Sequence, residues 1–106
     1  MSAVAERTCY VSNLDEKVTQ ELLTELFIQA GPLDRVILRE NGTTASPHRY
    51  ALAIFLHEVS VPFACDVMDR IALFGKAISV QPKQGTSQVS WFAFLHTVEN
   101  SDHSFF

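Results

Sequence analysis

The chain has 106 residues, 47% of them hydrophobic, with a formal net charge of −4 and a pI near 5.4. This length suits one domain with one core, and the acidic balance excludes a protein that grips nucleic acid through a broad basic surface, because phosphate neutralisation by Lys and Arg dominates such binding. No run approaches the ~18 apolar residues of a membrane helix and no basic-then-apolar leader opens the chain, so a soluble, unsecreted, intracellular protein with no membrane partner is expected.

Arg7 to Leu14 is a short β-rich run that ends in a polar turn. Strand side chains alternate between faces, so Thr8, Tyr10 and Ser12 share one. From Val18 to Ala30 the residues Val18, Leu22, Leu23, Leu26, Phe27 and Ala30 recur at helical spacing, with Thr19 as the cap and Glu21 in the first turn. Gly31-Pro32 stops that helix. A strand is predicted over Leu33–Arg39, and Asn41-Gly42 opens a polar loop through Pro47. The central strand follows from His48 to Phe55, with Tyr50, Leu52 and Ile54 on one face and Ala51, Ala53 and Phe55 on the other. Ser60 is placed as the cap of a second helix with Pro62 in its first turn; Ala64, Val67, Met68 and Ile71 form its inward stripe and Phe63 falls outside it. Leu73 to Lys76 reads as a turn, and Ala77 to Gln81 as a last strand with Ile78 and Val80 inward.

The order β-α-β-β-α-β predicts an α+β, ferredoxin-like layer: a four-stranded antiparallel sheet with two helices on one face and the other face open. The octet His48-Arg49-Tyr50-Ala51-Leu52-Ala53-Ile54-Phe55 resembles RNP1 of the RNA recognition motif (RRM) family, with Tyr50, Leu52 and Phe55 in the third, fifth and eighth places where aromatics usually stand. Cys9-Tyr10-Val11-Ser12-Asn13-Leu14 resembles the RNP2 hexamer, which puts Tyr10 in its stacking position. The likeness covers residues 6–84. Within it, Glu21-Leu22-Leu23, Gln29-Ala30-Gly31-Pro32 and His57-Glu58-Val59-Ser60-Val61-Pro62 resemble, more specifically, the family of RNA-binding subunits of nuclear exosome targeting complexes.

The resemblance implies single-stranded RNA on the sheet face, with Tyr10 and Tyr50 stacking bases at about 1–3 kcal/mol each. Leu52 packs against a base with less. His48 stands where a Lys or Arg usually pairs with phosphate, and Arg49 beside it is expected to substitute. Six of the eight basic residues, Arg7, Arg35, Arg39, Arg49, Lys76 and Lys83, fall in or beside the strands, while Glu21, Glu25, Asp66 and Asp69 sit on the helices. A mildly positive front would orient the strand toward the sheet. Arg35, Arg39, Arg49 and Lys83 are the expected phosphate contacts, and a U-rich strand is the ligand to try.

A protein partner is the other expectation. Tyr50, Leu52 and Ile54, with Ile37 beside them, would leave apolar area open to water, which usually marks a partner site. The family likeness also implies that the side away from RNA docks a proline-rich segment of a scaffold protein, through Val59, Phe63 and Phe74. Two functional readings stand: an RNA-processing subunit that binds RNA weakly to moderately and docks a partner, or an RRM used mainly for protein assembly, dimers included, as in small-RNA precursor processing. Either places it in the nucleus or in a cytoplasmic ribonucleoprotein granule.

Residues 85–106 read as an extension. Gln84 to Gln88 is linker-like, and the apolar run Val89 to Leu95 is expected to fold over Leu52 and Ile54 or to pair with another chain. The ending at Ser104-Phe105-Phe106 lacks a recognisable closing element, so an amino-terminal domain cut from a larger protein is expected. Cys9 and Cys65 are expected to be buried free thiols, and His48, His57, His96 and His103 show no metal spacing with them or with carboxylates. No Ser or Cys sits in a nucleophile motif. Acylphosphatases share the layout but need a Gly-rich loop with an Arg after the first strand, where Ser12-Asn13-Leu14-Asp15-Glu16 offers an acidic turn. No enzyme, metal or cofactor is expected.

Overall fold

The computed structural model describes residues 3–89. A 3-10 turn, η1 (Val4–Arg7), leads into β1 (Thr8–Ser12), then α1 (Gln20–Phe27), a second 3-10 turn η2 (Ile28–Ala30), β2 (Leu33–Gly42), β3 (Pro47–Phe55) and α2 (Ser60–Val67). A small hairpin of β4 (Ala72–Leu73) and β5 (Lys76–Ala77) precedes β6 (Ser79–Pro82). The main sheet runs β2-β3-β1-β6 with every neighbour antiparallel. This is the ferredoxin-like sheet expected from the element order, with the two RNP-like strands at its centre.

α1 begins where its sequence says it should. Thr19 Oγ1 accepts from the Leu22 amide at 3.1 Å, satisfying one of the orphan donors of the first turn. Val18 before the cap and Leu23 after it, both fully buried, occupy the staple positions that set how the chain enters the helix. Leu23 and Phe27, four apart, then point into the core. The helix does not run on to Ala30; its last turn tightens into η2 before Gly31.

α2 departs from its expected register. Val61, Ala64, Cys65 and Met68 are the buried stripe, whereas Val67 is 42% exposed. Ser60 is not the cap either. Val59 holds that position without a side-chain bond, and Ser60 is buried against the turn after η2. That contact explains Gly31. Its φ is 153°, and a Cβ built there would lie 2.1 Å from Ser60 Oγ, so glycine is demanded both by backbone conformation and by the approach of α2. The sequence clue at Gly31-Pro32 was a helix stop; the tertiary reason is a helix crossing.

The β2–β3 hairpin is longer than expected, pairing through Gly42 and Pro47, and only Thr43 to Ser46 form its loop. The predicted turn at Leu73–Lys76 is the tip of the β4–β5 hairpin, where Phe74 (φ 54°) and Gly75 (φ 81°) both take left-handed backbone. One core lies between the sheet and the two helices. Phe27 and Phe55 are its largest fully buried side chains, each worth about 1.5–3 kcal/mol of burial. Ala51 and Ala53 on β3, with no exposure, leave room for the helices to pack closely. Cys9 and Cys65 lie in this core as free thiols. The Cys9 thiol, which donates to the Val61 carbonyl, is held well above its usual range, first by the neighbouring Cys65 thiol and then by burial.

Gly31→Ala is expected to lower the unfolding free energy in urea by about 1–3 kcal/mol, the usual range for overpacking. Pairing it with Ser60→Ala removes the nearest atom and recovers part of that loss. Equal stability of the single mutant and the wild type would show that α2 does not depend on this contact.

Candidate nucleic-acid interface

Period-two alternation in the two central strands sorts their side chains. On β3, Arg49, Ala51, Ala53 and Phe55 face the helices, and His48, Tyr50, Leu52 and Ile54 face away. In register across the sheet, Tyr10 of β1 stands opposite Leu52 on one side and Gln81 of β6 on the other. On β2, Ile37, Arg39 and Asn41 stand opposite Leu52, Tyr50 and His48.

Three rings gather on this open face. Tyr10 and Tyr50 have centroids 5.4 Å apart with planes tilted by 31°. His48 stacks on Tyr50 at the same centroid distance and 27°, and a 2.8 Å hydrogen bond joins His48 Nε2 to Tyr10 Oη. These distances fall in the range of favourable aromatic pairs. A cleft of about 430 Å³ opens over them, floored by Tyr10, Tyr50, His48 and Leu52 and rimmed by Asn41, Lys83 and Gln84. An aromatic floor with a cationic and amide rim can stack a planar base while its edge and backbone meet polar groups.

The expected site residues divide. Tyr10, Tyr50, Leu52 and Lys83 line one cleft, with Arg39 beside Tyr50 in register. Arg35 lies on the same face at the irregular start of β2, opposite Ile54. Arg49 does not belong with them. It points to the helical side, where Nε donates to Glu40 Oε2 at 2.8 Å and Nη1 donates to the carbonyls of Asp15 and Val18 at 3.0 and 2.8 Å. Its side chain is 19% exposed, and its Nη1 bonds close the loop before α1. Ile54 is also corrected: it is 3% exposed and no open apolar surface. η1 packs on β3 at this end, Thr8 Oγ1 donates to the Val4 carbonyl, and Arg7 Nη1 donates to the Phe55 carbonyl.

The positive front narrows accordingly. Arg7 and Arg49 are engaged as above, and Lys76 lines a separate cleft of about 290 Å³ with Asp15, Glu16 and Glu40. Arg35, Arg39 and Lys83 remain on the open face, and none forms an ion pair among the described residues. The extension is tied down at its start. Ser87 donates from its amide and hydroxyl to the Glu6 carboxylate at 3.0 and 2.8 Å, and Gln88 Nε2 donates to the carbonyls of Glu6 and Glu58. The Ser87 amide is the main reason the Glu6 carboxyl sits below its usual range. The expected cover from the apolar run after Val89 falls outside the described residues.

On the other side of the molecule, Val59 (73% exposed) at the cap of α2 and Phe63 (51%) and Val67 (42%) within it follow one another at intervals of four, while Phe74 (54%) occupies the β4–β5 tip. His48 is the ring that sequence reasoning left out of the site. Its period-two relation to Tyr50 was the available signal, masked by its place in an octet position that usually carries a base.

The RNA recognition motif profile matches residues 9–79. The chain is 45% identical over 104 residues to RNA-binding protein 7 of Bos taurus, an alignment covering 94% of this chain and 39% of that protein. It is 38% identical over 104 residues to splicing regulator RBM11 of Mus musculus (95% and 43% covered), and 40% identical over 75 residues to splicing factor 3B subunit 4 of Homo sapiens (71% and 18%). It thus spans less than half the length of these relatives. Among solved structures, the RRM3 domain of Mip6 superposes with a TM-score of 0.65 at 24% identity, covering 76% of this chain and 96% of that one. The Rna15 RRM with bound RNA (GU) gives 0.62 at 19% identity, covering 86% and 96%. At these identities the likeness is one of fold.

Because Arg49 serves the fold, Arg49→Ala is expected to cost about 1.5–3 kcal/mol of stability, the scale of hydrogen bonds to charged groups. Urea unfolding checks this, and nucleic-acid affinity of the folded variant should stay within about twofold of wild type. A stable variant with weakened affinity would return Arg49 to the open face.

Proposed function

The chain belongs to the RNA recognition motif family, and from that membership we propose that it binds single-stranded RNA on the open face of its sheet as part of an RNA-processing assembly. The observation that carries this reading is the pair of tyrosine rings, 5.4 Å apart on the two central strands, at the floor of a cleft rimmed by Lys83. Base–aromatic stacking needs an accessible ring face and tolerates any base, and nearby Arg and Lys supply the phosphate term. Tyr10, Tyr50 and Leu52 are the proposed base contacts, and Arg35, Arg39 and Lys83 the proposed phosphate contacts. The names of RNA-binding protein 7, splicing regulator RBM11 and splicing factor 3B subunit 4 support an RNA-processing setting. That setting is nuclear or in a ribonucleoprotein granule, and the exosome-targeting likeness remains the more specific form of this proposal.

Affinity is modest on this account. Leu52 offers no π face, and three cations release few counterions.

A specific observation also favours protein docking. Val59, Phe63 and Val67 form an exposed apolar stripe along one side of α2, away from the RNA face. Phe74 adds a bulky exposed ring held in left-handed backbone, a conformation that costs a non-glycine residue about 1–2 kcal/mol. We propose that a protein subunit of the same assembly seats on this side. The two surfaces lie on opposite faces, so both can be occupied at once.

Fluorescence anisotropy of a labelled U-rich strand, titrated at two salt concentrations, tests the reading. Wild-type binding is expected to saturate and to weaken with salt. Tyr10→Ala with Tyr50→Ala should weaken it about 30-fold or more, two stacks at the low end of the usual range, with a native circular dichroism spectrum retained. Arg39→Ala should reduce the slope of log K against log salt by about 0.7, one phosphate contact on a single strand. Absence of binding by the folded wild type would refute the RNA reading. Phe63→Glu is expected to leave RNA affinity within about twofold and to abolish capture of the partner subunit.

A further inference from the structure

Resting on the sheet-face reading above, we infer that His48 is a third base-stacking residue of the RNA site, taking over the stack that Leu52 cannot provide. The octet position of His48 usually carries a base aimed at phosphate, but its surroundings here are those of a ring in an aromatic row. The imidazole stacks on Tyr50 at 5.4 Å and 27°. It is the exposed member of the three rings, Tyr10 and Tyr50 being half-buried. Its Nε2 is already engaged by Tyr10 Oη at 2.8 Å, which holds the imidazole edge against the tyrosine and leaves ring surface toward the cleft.

The two ends of the face differ in the same sense. Toward Thr8 and Ile54 the row is closed, both residues being 2–3% exposed with η1 packed on β3. Toward His48 it is open, with Asn41 opposite in register and Gln84 at the rim of the same cleft. A base that finds leucine rather than an aromatic on one side of Tyr50 therefore finds an imidazole two residues away on the other side. Histidine is among the side chains on which unstacked bases pack. The neutral Asn41 beside it gives a base edge both a donor and an acceptor.

Stacking and phosphate pairing make opposite demands on position 48, and substitutions separate them. The probe is a fluorescein-labelled oligouridine titrated by anisotropy at two salt concentrations, with thermal unfolding recorded for each variant. His48→Ala is expected to weaken binding about fivefold or more, the low end for one stack, with an unchanged salt slope. His48→Phe keeps a ring without the hydrogen bond and should bind within about twofold of wild type. His48→Lys restores a base without a ring and should bind no more tightly than wild type at the higher salt. Tyr10→Phe keeps both rings and deletes only the hydrogen bond, and should also stay within about twofold.

The inference is overturned if His48→Lys binds more tightly with a salt slope steeper by about 0.7, which would make position 48 a phosphate contact. It is equally overturned if His48→Phe or Tyr10→Phe loses as much as His48→Ala, which would reduce His48 to a support for Tyr10. Wild-type binding with an unaffected His48→Ala sinks this inference alone, and no binding by the wild type sinks the sheet-face reading with it.

Discussion

The alternation of β3 is the constraint on which the molecule depends. As the second strand of the sheet, it pairs with β1 on one side and β2 on the other and cannot slip by one residue without turning every side chain over. In the observed register Ala51, Ala53 and Phe55 are wholly buried beneath the helices, and His48, Tyr50 and Leu52 are delivered to the opposite face. Burial of the first set is what presents the second. The small alanines matter as much as the phenylalanine, since they let α1 and α2 approach a sheet whose outer surface must remain open.

That outer surface is not uniform. At the Ile54 end, η1, the Thr8–Val4 bond, the Arg7–Phe55 bond and the anchoring of Ser87 and Gln88 on Glu6 draw the two chain segments flanking the domain together. At the His48 end nothing described covers the rings. The fold thereby divides one strand face into a structural half, rich in backbone-directed hydrogen bonds, and a half that offers aromatic surface, amides and cations to a ligand.

Electrostatics follows the same division. The chain is acidic overall, and three of its strand-associated cations are drawn into the fold or into an acidic cleft. Arg49 is the clearest case. Its planar fork reaches one carboxylate and two carbonyls at once, a task for which guanidinium geometry is suited and a solvated phosphate is not needed. What is left on the open face is a small, local charge beside an aromatic surface. Such an arrangement favours recognition by ring contact over long-range attraction.

The element order, the N-cap of α1, the inward Ile78 and Val80, and the placing of Tyr10 and Tyr50 on one open face were all legible in the sequence, because each is set by local periodicity and by residues whose chemistry acts over a single turn. The register of α2, the burial of Ser60 and Ile54, the diversion of Arg49 and the entry of His48 into the aromatic row were not. Ser60 meets Gly31 across 29 positions of chain, Arg49 finds its carbonyls 31 and 34 residues away, and His48 meets Tyr10 at a separation of 38. Periodicity tells which face a side chain takes, but whether that face is covered, and by whom, depends on contacts between segments distant in sequence, and only the tertiary structure decides those.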